Sequence, residues 1–545
     1  MSVKVKFETD PSRYRHWKLE AARDRARLTM KVDEAGGLSP GYALKLNSYD
    51  LAVDIELADA VTRLRFEHPS VSVVTIDSAL DGMFCAGANI FMLAHADHGF
   101  KVNFCKFTNE TRLAIEDATA NSGQRYVAAL NGTCSGGGYE LALACEQIVL
   151  VDDRRSAVSL PEIAYLGVLP GTGGLTRLVD KRKVRRDLAD VFATLAEGVR
   201  GERAVKWGLV DAVAPRSRFN EAVAERVAAL VDSKRAGRAG VTLDALAPAE
   251  SETEVRYRHL TLRLDCTQRL AELIIEGPES VGPKDVPAIP AEAAALGADF
   301  YPLRLFREID DALLRLRFNY PEIGLVLIKS AGDLDRVAEL DRAMWERRGD
   351  WFIHETLLMA KRVLKRLDLT AKSFFAIVEP GSCFAGSIFE LALAADRIYM
   401  KSGADAHIAT GVLNGGAFPM GNGLSRLSTR FIGDPARAAA LATGGTFDAE
   451  AALEAGLVTA APDELDWEEE LRLAISERLS LSPDALTGME ASIRFAGPET
   501  METRIFGRLS AWQNWIFQRP NAIGEHGALK LYGKPQSPQF DYRRT

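Results

Sequence analysis

The chain has 545 residues, 47% of them hydrophobic and 26% charged, with 67 Lys and Arg against 75 Asp and Glu for a formal net charge of −8. That composition is ordinary for a globular chain of more than one domain, and it excludes long disorder, collagen-like repeats and a dominant coiled coil. Mixed, mildly acidic charge offers no phosphate-neutralising face, so nucleic acid is excluded as a partner. The N-terminal stretch lacks a signal-peptide core and no apolar run reaches about 18 residues, so the expectation is a cytoplasmic protein with no membrane contact.

In chain order, 51–66 reads as a helix, VSVVTI and YVAAL as strands, 140–147 as a helix, and QIVLV as a strand. An amphipathic helix is predicted over 216–233. LVLI, FFAIV and RIYM follow as strands in the rear half, and the chain beyond about Asp466 reads as helical. Apolar strands alternating with helical stretches indicate an α/β fold.

The chain also repeats itself. RLRF at 63–66 recurs at 315–318, ELALACEQI at 140–148 as ELALAADRI at 390–398, LTRL at 175 as LSRL at 424, and Gly208-Leu209-Val210 as Gly456-Leu457-Val458. The matches keep their order with nearly constant offset, which predicts a duplicated domain. The expected boundaries are a front domain at 1–233, a helical or linker segment at 234–300, a second copy at 301–465 and a helical C-terminal region at 466–545. Trp512, Trp515 and Phe517 in that last region are expected to pack on a neighbouring domain or subunit.

The six cysteines, Cys85, Cys105, Cys134, Cys145, Cys266 and Cys383, form no CxxC pair and no Cys/His group has zinc spacing, so reduced thiols and no metal are expected. The chain has no GxGxxG, and GALKLYGKP lacks P-loop spacing, which disfavours nucleotide-dependent redox or kinase chemistry. What stands out are four glycine-rich or acidic stretches between 82 and 174: GMFCAGANI, NGTCSGGGYELALA, SLPEIAYLGV and LPGTGGLTRL. Glycines at strand-to-helix junctions let backbone N–H groups approach a ligand, and the second cluster opens into a helix whose N-terminus favours negative charge.

On these stretches the chain resembles the enoyl-CoA hydratase/isomerase (crotonase) superfamily. The resemblance implies a crotonase-like ββα spiral, duplicated here, and an acyl-CoA thioester as substrate. Coenzyme A then belongs to the substrate, and no separate cofactor is expected. It places the oxyanion-hole N–H donors at Ala88 and Gly137 and two catalytic carboxylates at Glu140 and Glu162. It makes Cys105, on the helix after the first loop, a weaker catalytic candidate. Ala86, Asn89, Lys45 and Asn47 fall at substrate-contacting positions, although Asn89 replaces the acid many crotonases carry after AGA, so that acid's role does not transfer. Assembly as a homo-oligomer, dimer or trimer, is also implied.

In the second copy IKSAGDLDRV stands where the AGAN loop should be and HIATGVLNGG where SLPE should be. Glu390 alone survives, so that copy is expected to lack chemistry. FETDPSRYRHW, KLNSYDLAVDIELADA, FCAGANIFML and KVNFCKFTNETR extend the resemblance to a ring-cleaving branch of the superfamily. That branch opens 2,3-epoxy-2,3-dihydrobenzoyl-CoA, or its dihydrodiol, with water to 3,4-dehydroadipyl-CoA semialdehyde and formate in aerobic benzoate breakdown. The alternatives are an enoyl-CoA hydratase on another acyl-CoA and a non-catalytic acyl-CoA-binding protein.

Overall fold

The apolar runs assemble into two large sheets. The computed structural model describes residues 4–279, 293–403 and 405–545. They divide into a front unit, Phe7–Ala245, and a rear unit, Leu246–Thr545 joined by the N-terminal stretch up to Lys6.

In the front unit, β1 (Trp17–Ala22) and β2 (Arg25–Met30) precede α1 (Leu51–Phe66), β3 (Val73–Ser78), β4 (Gly82–Cys85), α2 (Ile90–His95) and α3 (His98–Asp117). Then come β5 (Arg125–Leu130), β6 (Gly132–Ser135), α4 (Gly137–Ala144), β7 (Gln147–Asp152), β8 (Val158–Ser159), α5 (Glu162–Leu166) and, further on, β9 (Ala212–Pro215). The large sheet runs β1-β2-β3-β5-β7-β9, antiparallel only at β1–β2. Its central strands are buried on both faces, which explains their continuous apolar runs. One face, with Val73, Val127, Val149 and Val151, is covered by Phe219 and Val227 of the helix Phe219–Leu230. Asp50, Asn89 and Asp97 cap α1, α2 and α3 by accepting from first-turn N–H groups.

The rear unit repeats this plan. β10 (Ala249–Glu250), β11 (Glu254–Arg256), β12 (Leu260–Asp265) and β13 (Leu270–Glu276) are followed by α6 (Tyr301–Phe318), β14 (Leu325–Ala331), α7 (Leu334–Glu346) and α8 (Trp351–Leu369). β15 (Ser373–Val378), α9 (Gly386–Leu393) and β16 (Arg397–Met400) complete a seven-stranded sheet ordered β10 to β16, antiparallel up to β13 and parallel beyond. The same side-chain bonds recur. Tyr14 and Arg63 meet at Asp59, as Tyr257 and Arg315 meet at Asp311. Glu56 receives the Arg15 and His16 N–H groups, as Glu308 receives those of Arg258 and His259.

Three expectations change. The segment 234–300 is not only helix and linker: 249–276 forms four strands of the rear sheet, and the part from 280 to 292 lies outside the described residues. A repeat of RYRH, at 13–16 and 256–259, marks that earlier start. Second, no boundary falls at 466, because Trp467 and Ala474 of the helix Trp467–Ser480 cover Leu325, Leu327, Phe375 and Ile377 as Phe219 and Val227 cover the front sheet. Third, the helix expected at 140–147 spans Gly137–Ala144, and Gln147 already begins β7. Trp512 packs edge-on to Trp515 and against Gly488 of the helix Pro483–Ile493, within its own unit, while Phe517 stays half exposed.

Candidate active site

A second, small sheet of the front unit positions the site. Its order is β4-β6-β8, all parallel, with Cys85 beside Cys134 and Ser135 beside Ser159. These parallel strands, with a register shift in β4 between Met83 and Cys85, finish on the same edge, so three loops leave it together: Ala86-Gly87-Ala88 after β4, Gly136-Gly137 after β6, and Leu160-Pro161-Glu162 after β8. The Gly136 N–H donates to Ser159 O at 2.9 Å, which ties the second loop to the third. The first meets the second so closely that a Cβ on Gly87 would lie 3.1 Å from the Gly137 nitrogen.

Tyr49 fixes the first loop by donating its N–H to Gly87 O at 3.0 Å and accepting from the Asn89 N–H at 2.8 Å. In this parallel bridge the Ala88 N–H points away from Tyr49. Gly137 is the first residue of α4, where an N–H has no acceptor within the helix. Neither the Ala88 nor the Gly137 N–H donates to another described residue. Two free donors on abutting loops, one at a helix N-terminus, are suited to an anionic oxygen. Gly136 is left-handed, at φ +54°, and Gly137 faces the Tyr49 hydroxyl where a side chain would stand.

The two carboxylates flank this turn in different surroundings. Glu140, buried in the first turn of α4, accepts at Oε1 from the Thr172 N–H (3.0 Å) and the Gly174 N–H (2.7 Å), and at Oε2 from the Thr172 hydroxyl. Glu162 opens α5 beside Gly136, and its Oε2 is buried with no hydrogen-bond partner among the described residues. Burial pushes Glu162 up to about 7, and the nearby Glu140 charge also raises it. One acid is thus fixed by three donors and the other is free to exchange a proton near neutral pH.

The remaining candidates separate. Cys105 on α3 lies against the 169–174 loop, where a Cβ on Gly171 would be 3.4 Å from its sulfur. Burial, with the Glu140 charge, pushes its thiol up to about 11, so it is held neutral rather than as a thiolate nucleophile. Ala86 is half-buried, and its N–H donates to Leu46 O at 3.1 Å. Lys45 is exposed on the turn Lys45–Asn47. Asn47 and Asn89 do not present their amides to a substrate. Asn47 is buried, donating to Ser78 Oγ (3.0 Å) and Phe84 O (3.1 Å) and accepting from the Val32 N–H. Asn89 caps α2 through Met92 and donates to Ala43 O at 2.9 Å. Both hold the loop whose neighbours face the site. Sequence reasoning missed Thr172, the one hydroxyl in LPGTGG, and the buried Tyr49 behind Gly137. Among the described residues there is no cluster of three or more His, Cys, Asp or Glu able to hold a metal ion, and no helix is long and apolar enough to cross a membrane.

In the rear unit the corresponding place is filled by the chain itself. Ser387 stands three residues before Glu390, as Gly137 stands before Glu140, and its N–H donates to Asp341 Oδ2 at 2.5 Å while its hydroxyl donates to Oδ1 at 2.8 Å. Glu390 is taken up by Asn414 (2.7 Å) and by Arg426 (2.9 Å), which also pairs with Asp368. An internal carboxylate therefore uses the donor that is free in the front unit.

Comparison with known proteins places the chain in a family. A family model described as enoyl-CoA hydratase/isomerase matches residues 44–274. A benzoyl-CoA-dihydrodiol lyase from Aromatoleum evansii is 52% identical over 547 residues, covering 99% of this chain and 98% of that protein. The fatty acid oxidation complex subunit alpha of Shewanella loihica is 31% identical over 243 residues, 41% of this chain and 33% of its own. An enoyl-CoA hydratase structure from Geobacillus kaustophilus is 33% identical, covering 40% of this chain and 75% of its own, with a TM-score of 0.35. With half its residues shared across nearly the full length, the chain belongs to the benzoyl-CoA-dihydrodiol lyase family of the enoyl-CoA hydratase/isomerase, or crotonase, superfamily.

Proposed function

We propose that the chain is a carbon–carbon lyase that opens the ring of 2,3-epoxy-2,3-dihydrobenzoyl-CoA, or its dihydrodiol, with two waters, releasing 3,4-dehydroadipyl-CoA semialdehyde and formate in benzoate degradation. The full-length likeness to a benzoyl-CoA-dihydrodiol lyase supports it, and the observation that carries the chemistry is the pair of free N–H groups at Ala88 and Gly137. The ring carbon lost as formate first parts from its oxygen-bearing neighbour, which with one water leaves two aldehydes; the second water adds to the aldehyde beside the α-carbon, and breaking that remaining bond releases formate and leaves an electron pair on the α-carbon, delocalised onto the thioester oxygen as an enolate. Two preorganised donors stabilise that oxygen, each worth about 2.7 to 4 kcal/mol in the transition state.

Glu162, with its unpartnered oxygen and raised pKa, deprotonates water and returns a proton to the α-carbon. Glu140, held by Thr172 and Gly174, orients that water. Coenzyme A enters as part of the substrate, and this scheme uses no resident cofactor. In this reading Lys45, exposed on the turn Lys45–Asn47, meets a CoA phosphate. The protein is taken as cytoplasmic, and a homo-oligomer, dimer or trimer, fits the apolar side chains exposed on and just after α5, among them Tyr165 and Leu169.

The test is incubation with 2,3-epoxybenzoyl-CoA, with mass analysis of the CoA product and a formate assay. Wild type releases formate stoichiometrically, and Glu140→Gln and Glu162→Gln each lose at least about 100-fold in turnover. Water addition to crotonyl-CoA without formate from the epoxide would make the enzyme a hydratase, and near-normal formate release by both variants would remove the two acids from the mechanism.

A further inference from the structure

Behind the Gly137 turn lies a charged pair that the mechanism above does not use. Asp54 on α1 and Arg112 on α3 are both fully buried. One guanidinium nitrogen of Arg112 donates to Asp54 Oδ1 at 3.2 Å and to Thr108 O at 3.2 Å, and the other donates to Gly137 O at 3.2 Å. The Thr108 hydroxyl donates to the other Asp54 oxygen, and the Arg112 guanidinium lies 5.4 Å from the centre of the Tyr49 ring, whose hydroxyl abuts Gly137.

Burying an ion pair costs several kcal/mol per ion before its attraction offsets that cost, and well-packed apolar residues often serve stability as well or better. The rear unit shows that this fold does not need the pair. Its α6 follows α1 at an offset of 252 (308 − 56), since Glu56 and Glu308 make matching bonds. Its α8 follows α3 at the same offset (368 − 116), since Glu116 pairs with Arg177 as Asp368 pairs with Arg426. At that register Asp54 and Arg112 become Phe306 and Leu364, both buried. The charged pair is therefore present where the helix N-terminus keeps a free donor, and absent where Asp341 has taken it.

We propose that Arg112, held by Asp54, is a positioning residue of the oxyanion hole: it fixes the Gly137 carbonyl, across the Cα from the N–H that receives the thioester oxygen, and sets a cation behind that turn. The oriented pair turns its positive end toward the turn, and in a low-dielectric interior that end lowers the energy of an enolate formed on the far side. The inference rests on the reading of Ala88 and Gly137 as that hole.

The experiment compares wild type, Arg112→Lys and the double variant Asp54→Leu/Arg112→Met, which replaces the pair by apolar groups as the rear unit does. Two readouts are taken: kcat and KM for formate release from 2,3-epoxybenzoyl-CoA, and the infrared carbonyl shift of bound benzoyl-CoA labelled with ¹³C at the thioester. The double variant is expected to fold with a Tm within a few degrees of wild type, to keep KM within about threefold, to lose about tenfold or more in kcat, and to shift the carbonyl less. Arg112→Lys keeps the charge but not the fork, and is expected to fall between the two on both readouts. A folded double variant with wild-type kcat and carbonyl shift overturns the proposal. If the double variant does not fold, the same result from Arg112→Lys overturns it. A wild-type enzyme that polarises the benzoyl-CoA carbonyl but releases no formate overturns the ring-opening reading and leaves the role of Arg112 standing.

Discussion

Glu140 and Glu162 are the same residue type in the first turns of α4 and α5, and their surroundings hold them differently. Glu140 has both oxygens occupied by three donors, whereas Glu162 has a buried oxygen with none. A carboxyl raised in the folded state binds its proton more tightly there than in the unfolded chain, so its contribution to stability is full below the ordinary range of about 4.3 and is lost as pH rises through about 7. Two outcomes follow for Glu162→Gln. The pH profile of residual kcat/KM loses the ionisation near 7, and the variant gains Tm over wild type at pH 8.5, a gain that shrinks toward pH 5. A Tm difference independent of pH would show that burial does not hold the Glu162 proton. At this scale the sequence exposed both acids through their places in GGGYE and SLPE. It could not expose the difference between them, because Thr172 and Gly174 reach Glu140 from a loop about thirty residues away.

At the scale of elements, the small sheet decides the geometry. GMFC, GTCS and VS are short and carry few of the branched or aromatic residues that mark strands, so no periodicity announces them. Only their pairing reveals that they are parallel and finish side by side, which delivers the three loops to one edge. Asn47 and Asn89 belong to the same lesson: both lie in segments that face the site, yet their amides are spent on capping and on tying loops together. The tightest joint is Gly137 against Tyr49. Gly137→Ala places a methyl group where the Tyr49 hydroxyl stands, so the turn must shift. The expected cost is about 1–3 kcal/mol of stability from overpacking and about 100-fold or more in kcat from loss of one aligned donor. Urea unfolding and steady-state assays measure the two separately; an alanine variant with unchanged kcat would show that the Gly137 N–H is not a donor to the transition state.

Across the whole molecule, one chain carries two versions of a single plan and spends its polar groups differently in each. In the rear unit Asp341 accepts from the Ser387 N–H and hydroxyl, yet burial pushes its carboxyl up to about 7, with Glu390 nearby adding to the rise. By the same sign as for Glu162, stability from this group is present below about 3.9 and is lost as pH rises through about 7. Asp341→Asn is therefore expected to melt higher than wild type at pH 8 and level with it near pH 4, with formate release unchanged. Equal melting at both pH values would show that Asp341 carries no buried-charge penalty.

By itself the sequence determined the α/β class, the duplication and the order of the four stretches that carry Glu140 and Glu162, because hydrophobic runs, repeated motifs and glycine clusters are local signals. It misplaced the start of the second copy, whose marker, the second RYRH, lies mostly in the turn between the short strands β11 and β12, in a stretch that reads as linker. Tertiary structure alone decided which N–H groups are left without acceptors, which amides are consumed in holding loops, that Asp341 fills the rear counterpart, and that Arg112 stands behind Gly137. Each of these depends on residues far apart in the chain meeting at a few ångströms, and neither composition nor spacing encodes a distance of that kind.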